Sequence, residues 1–129
     1  MKKILVVDDE AAILEICKFS LEGDGYKIST ALNALVALEM LEREKFDLIL
    51  SDFRMPVMDG ITFLHKVKNQ WPDLGFIMMT AYWISNHQEI EKYKSMMIAI
   101  LRKPFEFSYL LELMNKYFRE QEARNTKPQ

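Results

Sequence analysis

Polar residues able to do chemistry stand where short apolar runs of this chain stop. Ile4–Val7 runs into Asp8-Asp9-Glu10, and Leu48–Ser51 runs into Asp52. Phe76–Thr80 ends on a hydroxyl followed by Ala81, and Ile98–Leu101 is followed by Arg102-Lys103-Pro104. If these runs are neighbouring strands of one sheet, then three carboxylates (Asp8, Asp9 and Asp52), the Thr80 hydroxyl and the Lys103 ammonium converge from four separated parts of the chain. Carboxylates crowded in this way repel one another, and their pKa values rise unless a cation compensates. An oxygen-only donor set suits a hard divalent ion, and two or three carboxylates with waters form a Mg2+ arrangement rather than a zinc one. One carboxylate can also serve as a nucleophile and form an aspartyl-phosphate. Lys103 would neutralise a phosphoryl oxygen as a point charge, and Thr80 would donate to another. Phosphoryl transfer needs mainly positioning and charge neutralisation, which this set supplies.

The elements that must hold these groups alternate along the chain. The apolar runs Ile4–Val7, Tyr26–Thr30, Leu48–Ser51, Phe76–Thr80 and Ile98–Leu101 suit buried strands. Between them the spacing is helical. Leu14, Cys17 and Leu21 share one face, Ala34, Ala37, Leu38 and Leu41 a second, and Ile61, Leu64 and Val67 a third. Phe107, Leu110, Leu111, Met114 and Phe118 mark the last helix, and the polar stretch Ser85 to Ser95 is a weakly periodic fourth. Strands alternating with helices imply a parallel sheet with right-handed crossovers and helices on both faces. In such sheets the ligand site lies beyond the carboxyl ends of the strands, where the strand order reverses.

Composition narrows the class. A chain of 129 residues, 50% hydrophobic and 28% charged, with four Gly and four Pro, is neither disordered nor of low complexity. Seventeen basic residues against nineteen acidic ones argue against holding nucleic acid by phosphate neutralisation alone. One cysteine, Cys17, cannot form an internal disulfide, which suggests a reducing, cytoplasmic setting. No run is long enough for a membrane span. Residues 1–120 read as one domain, and 121–129 as a polar tail or the start of a linker.

The ordered motifs resemble the receiver domain of two-component response regulators. They are Ile4-Leu5-Val6-Val7-Asp8-Asp9-Glu10, Leu48-Ile49-Leu50-Ser51-Asp52-Phe53-Arg54-Met55-Pro56-Val57-Met58-Asp59-Gly60, Met79-Thr80-Ala81 and Leu101-Arg102-Lys103-Pro104-Phe105. The resemblance covers residues 1 to 120. It implies an α/β fold, a flavodoxin-like doubly wound sheet of five parallel strands in the order 2-1-3-4-5. It implies Asp52 as phosphoacceptor, with Asp9 and Asp52 binding Mg2+ directly, Asp8 assisting through water, and the Arg54 backbone carbonyl as a further ligand. Thr80 and Lys103 would be the switch hydroxyl and the phosphate-binding lysine. The implied partner is a sensor histidine kinase or a phosphotransfer protein, with a possible homodimer through the fourth-helix, fifth-strand and fifth-helix face. Family members often carry a cis bond at the position of Lys103-Pro104.

The chain departs from the family three residues before the lysine, where Ile100 replaces the Tyr or Phe that turns inward on activation. A glycine usual several residues earlier is absent from Tyr93-Lys94-Ser95-Met96-Met97-Ile98-Ala99. The bulky Tyr82-Trp83-Ile84 after Thr80 suits core packing, or else an anchor for a partner, and makes Tyr82 and Trp83 candidate switch residues beside Ile100. Three other functions compete. A Mg2+-dependent phosphatase with an Asp nucleophile needs an acid/base two residues later, where this chain has Arg54, which cannot do that job. An interaction module with a decayed site would not be expected to keep all five site residues. A nucleotide-binding protein is weaker still, because no Gly-rich phosphate loop follows any strand. Several residues suit structural roles: Asp8 as a helix cap, Asp59-Gly60 as a turn and cap, Cys17 in the core, and His65 and His87 at the surface.

Overall fold

Five parallel strands in the order β2-β1-β3-β4-β5 form the sheet of the computed structural model, which describes residues 1–81 and 83–126. The strands are β1 (Lys3–Val7), β2 (Lys27–Ala31), β3 (Leu48–Asp52), β4 (Gly75–Thr80) and β5 (Ala99–Arg102). The helices between and after them are α1 (Ala11–Glu22), α2 (Ala34–Arg43), α3 (Gly60–Gln70), α4 (Trp83–Glu91) and α5 (Phe107–Thr126), with a short 3-10 turn at Lys94–Met96. This is the flavodoxin-like doubly wound arrangement that the family resemblance implies.

The two-residue period of the strands divides the core between the two faces of the sheet. Leu5, Val7, Ile49, Phe76 and Met78 face α2, α3 and α4, where Ala34, Ala37, Phe63, Leu64, Val67 and Ile90 are buried. Ile4, Val6, Leu48, Leu50, Ile77 and Met79 face α1 and α5, where they meet Leu14, Cys17, Leu21, Leu110 and Met114. β1, β3 and β4 have helices on both faces, which is why their sequences read as nearly continuous apolar runs.

Every strand differs from its apolar run by one residue at one or both ends, and the departures at β2, β5 and α4 are the most informative. Tyr26 gives its amide to the Leu21 carbonyl at the end of α1, so β2 begins at Lys27, whose amide bonds Lys2 O. β5 begins one residue later than its apolar run and extends to Arg102, which pairs with Thr80. The helix expected over Ser85 to Ser95 starts earlier, at Trp83, and stops at Glu91. The chain then turns through Lys94–Met96 before β5. Gln121 to Thr126 continue α5, whereas residues 127–129 lie outside the described residues. Among the described residues no helix is long and apolar enough to cross a membrane.

Candidate functional site

Register alone brings the strand ends into one row. Val7 pairs with Ser51, Asp52 with Met79, and Thr80 with Arg102. Asp8, Asp52, Thr80 and Lys103 therefore emerge side by side along the carboxyl edge, next to the reversal between β1 and β3. The Lys103 amide donates to Thr80 O at 2.8 Å, which ties the loop after β5 to the end of β4. The Lys103-Pro104 peptide is cis.

The side chains meet where that row predicts. Lys103 Nζ lies 2.7 Å from Asp8 Oδ2 and 3.2 Å from Asp52 Oδ1, so one ammonium bridges two carboxylates. Asp8 is 0% exposed and Asp52 is 7% exposed. Buried charges of this kind persist only when paired. Asp8 Oδ1 also accepts the Glu10 amide at 2.9 Å. Asp8 does not cap α1: the N-cap residue is Glu10, whose side chain makes no capping bond. Asp9 is exposed beside it, and carboxylate oxygens of Asp8, Asp9 and Glu10 lie within 4.8 Å of one another. This oxygen-only donor set fits a hard divalent cation.

Electrostatics follow from that geometry. Burial and then the neighbouring Asp8 charge push the Asp52 carboxyl up from 3.8 to about 6, and the Lys103 ammonium offsets only part of this. Burial alone would lower the Lys103 ammonium. Its hydrogen bond to Asp8 and the charge of Asp52 outweigh that, so its pKa is raised. Cys17, fully buried on the sheet face covered by α1, is pushed up to about 11 by burial first and the Asp8 charge second. It is a protonated core residue.

A cleft of about 610 Å³ opens over this row, walled by Asp9, Glu10, Asp52, Phe53, Arg54 and Lys103 on the sheet side. Asn86 and Glu89 of α4 close it opposite. Thr80 is 1% exposed, and its neighbour Ala81 lines the cleft. The loop after β3 is held down over Asp52 by the Gly60 amide, which donates to Phe53 O at 2.7 Å. A Cβ at Gly60 would come within 2.6 Å of Asp52 O, so the close approach requires glycine. Asp59 caps α3 by accepting the Thr62 amide at 2.8 Å, as expected for a turn-and-cap pair.

The candidate switch residues lie to one side. Ile100 and Trp83 are half-buried and pack against the core on the α2–α3–α4 face. Arg102 stacks over the Trp83 ring at 4.9 Å, and His87 lies 5.9 Å from the same ring. Tyr82 lies outside the described residues. His65 and His87 are exposed. Sequence reasoning passed over the Arg54 side chain, Asn86 and Glu89 at the cleft wall. The one available signal was Arg54's position two residues after Asp52.

Known proteins agree with this geometry. The family described as "Response regulator receiver domain" matches residues 4–115. The transcriptional regulatory protein ZraR of Klebsiella oxytoca is 41% identical over 107 residues, covering 83% of this chain and 24% of that protein. The chain thus spans about a quarter of the length of that relative. A CheY-like receiver domain of Methanospirillum hungatei JF-1 superposes with a TM-score of 0.88 at 35% identity, covering 96% of this chain and 98% of that one. The response regulator TrrA of Thermotoga maritima, solved in complex with Mg2+ and BeF, superposes with a TM-score of 0.81 at 34% identity, covering 90% and 98%. Family match, sequence identity and superposition converge with the row of acidic strand ends: the chain belongs to the response regulator receiver domains, the phosphoacceptor modules of two-component signalling.

Proposed function

We propose that Asp52 is the phosphoacceptor and that it takes its phosphoryl group from the phosphohistidine of a sensor histidine kinase or a phosphotransfer protein. The observation that carries this reading is the Lys103 ammonium held between two buried carboxylates at 2.7 and 3.2 Å. A carboxylate raised to about 6 is still ionised at neutral pH, so it is available as a nucleophile. In-line attack by an Asp52 oxygen forms the acyl phosphate and returns the donor imidazole. Lys103 then faces one phosphoryl oxygen, and the Thr80 hydroxyl is drawn to another.

Mg2+ is the cofactor in this reading: Asp9, Asp52 and the Arg54 carbonyl would hold it, and Asp8 would assist through water. When bound, it neutralises charge that builds up on the phosphoryl oxygens. Asp8 keeps Lys103 aimed at the acceptor, and the loop pinned by Gly60 keeps Asp52 at the cleft floor.

The domain is a signalling acceptor rather than a turnover enzyme. A phosphatase built on the same nucleophile needs an acid/base two residues on, and Arg54 cannot act as one. In this reading the domain runs to the end of α5 at Thr126, works in the cytoplasm, and binds neither nucleic acid nor membrane through its own surface. Its output passes through Trp83, Tyr82 and Ile100 to a partner, or to a second copy docking on the α4–β5–α5 face. Incubation with acetyl phosphate tests the chemistry. Intact mass should rise by one phosphoryl group with Mg2+ and stay unchanged with EDTA, and Asp9→Ala should behave like the EDTA sample. Equal phosphorylation in all three would overturn the reading.

A further inference from the structure

Arg54 stands two residues beyond Asp52 and lines the same cleft as Asp52, Lys103 and Asn86. Its Nη2 donates to Asn86 Oδ1 across 3.4 Å, joining the loop after β3 to the second turn of α4. That bond is long, exposed, and made to a neutral amide oxygen, so it is weak. A phosphoryl group on Asp52 would place up to two negative charges, shared over three acceptor oxygens, in the same cleft. Guanidinium–phosphate hydrogen bonds are shorter and roughly twice as strong as bonds to neutral acceptors, and they form in pairs. Lys103 is already shared between Asp8 and Asp52, so the added charge has room for a second cation. Three residues before Asn86 in α4, the Trp83 ring lies under Arg102 of β5, so the start of the helix carries one contact to β5 and one to Arg54.

We infer that the Arg54 guanidinium is a further phosphoryl-binding group, exchanging Asn86 for the phosphoryl oxygens on Asp52 and thereby releasing the first turns of α4. The inference rests on the reading of Asp52 as acceptor. It gives the domain a mechanical link that does not pass through position 100, where an aliphatic Ile100 stands. The differential affinity of Arg54 for the two acceptors sets how far α4 can shift. Because linkage is reciprocal, removing Asn86 as competitor should tighten phosphoryl binding.

The test uses beryllofluoride with Mg2+ as the phosphoryl probe, in a Trp71→Phe background that leaves Trp83 as the remaining indole. Bound beryllofluoride is followed by fluorine NMR and α4 by Trp83 emission. The background protein should bind the probe and change its Trp83 emission. Arg54→Gln should bind about tenfold more weakly and lose most of the emission change. Arg54→Lys should keep part of the affinity but less of the emission change, because an ammonium lacks the guanidinium fork. Asn86→Ala should bind more tightly, with resting emission already moved toward the loaded value. Full affinity and a full emission change in Arg54→Gln would overturn the inference while leaving the acceptor reading intact. An emission in the background protein that ignores bound probe would also overturn it. Absence of bound fluoride from the background protein would instead remove the acceptor reading, and this inference with it.

Discussion

Asp52→Asn should make the metal-free protein more stable, not less. Asp52 is 7% exposed beside the fully buried Asp8, and its carboxyl is raised from 3.8 to about 6 by burial and then by the Asp8 charge. A folded-state pKa above the unfolded value means that the native protein prefers the protonated form. The associated stability is present in full below about pH 4 and is lost as pH rises through about 6. By pH 7.5 the loss approaches about 3 kcal/mol, from a rise of roughly two pH units at about 1.4 kcal/mol each. Asparagine has the shape of the neutral acid and no charge to lose. It also leaves Lys103 its 2.7 Å pair with Asp8. In EDTA at pH 7.5 the variant should therefore gain about 2–3 kcal/mol, or about 10 °C in melting temperature for a domain of this size. At pH 4 the gain should fall close to zero. Melting curves of both proteins across this range measure the difference directly. A variant less stable at pH 7.5, or a gain that does not change with pH, would refute the electrostatic account of the site.

Three further expectations share that physics. Lys103→Met leaves Asp8 and Asp52 buried without their ammonium, and should cost about 3–5 kcal/mol in metal-free protein at neutral pH by urea titration, less at pH 5. Gly60→Ala places a Cβ 2.6 Å from Asp52 O and 2.9 Å from Phe53 Cα, backbone atoms that must move. It should cost about 1–3 kcal/mol and weaken beryllofluoride binding. Mg2+ at a hundredfold excess over its dissociation constant should stabilise the wild type by about 2.7 kcal/mol by mass action. Asp9→Ala should abolish that increment, as followed by calorimetry.

The site was legible in the sequence because a parallel sheet converts a one-dimensional fact, which polar residue ends each apolar run, into a three-dimensional row. Asp8, Asp52, Thr80 and Lys103 needed only the strand order to become neighbours. The core was legible for a similar reason: Leu14, Cys17 and Leu21, or Leu110, Met114 and Phe118, repeat at helical spacing and are buried. Contacts without a periodic signature were not legible. Nothing local announces that Lys103 bonds Asp8 across 95 positions rather than facing solvent. The Arg54 side chain reads from sequence only as one that is not an acid, the role implied for that residue being its backbone carbonyl's. Its bond to Asn86 depends on where α4 lies, and α4 is the segment whose weak amphipathicity also misplaced its ends. Tyr26 looked like a strand residue because it is apolar and follows a turn, yet its amide is taken by the end of α1. Gly60 reads as an ordinary turn glycine; its closeness to the Asp52 carbonyl is a packing fact.

The central claim is that the phosphoryl group is carried on the Asp52 side chain. Its most direct test is to phosphorylate the protein with acetyl phosphate and Mg2+, reduce the acyl phosphate with borohydride, and map the peptides by mass spectrometry. The account predicts homoserine at position 52, and no such product from Asp52→Asn. Reduction at Asp8, Asp9 or Asp59 in the wild type, or a phosphoryl group retained in full by Asp52→Asn, would contradict it.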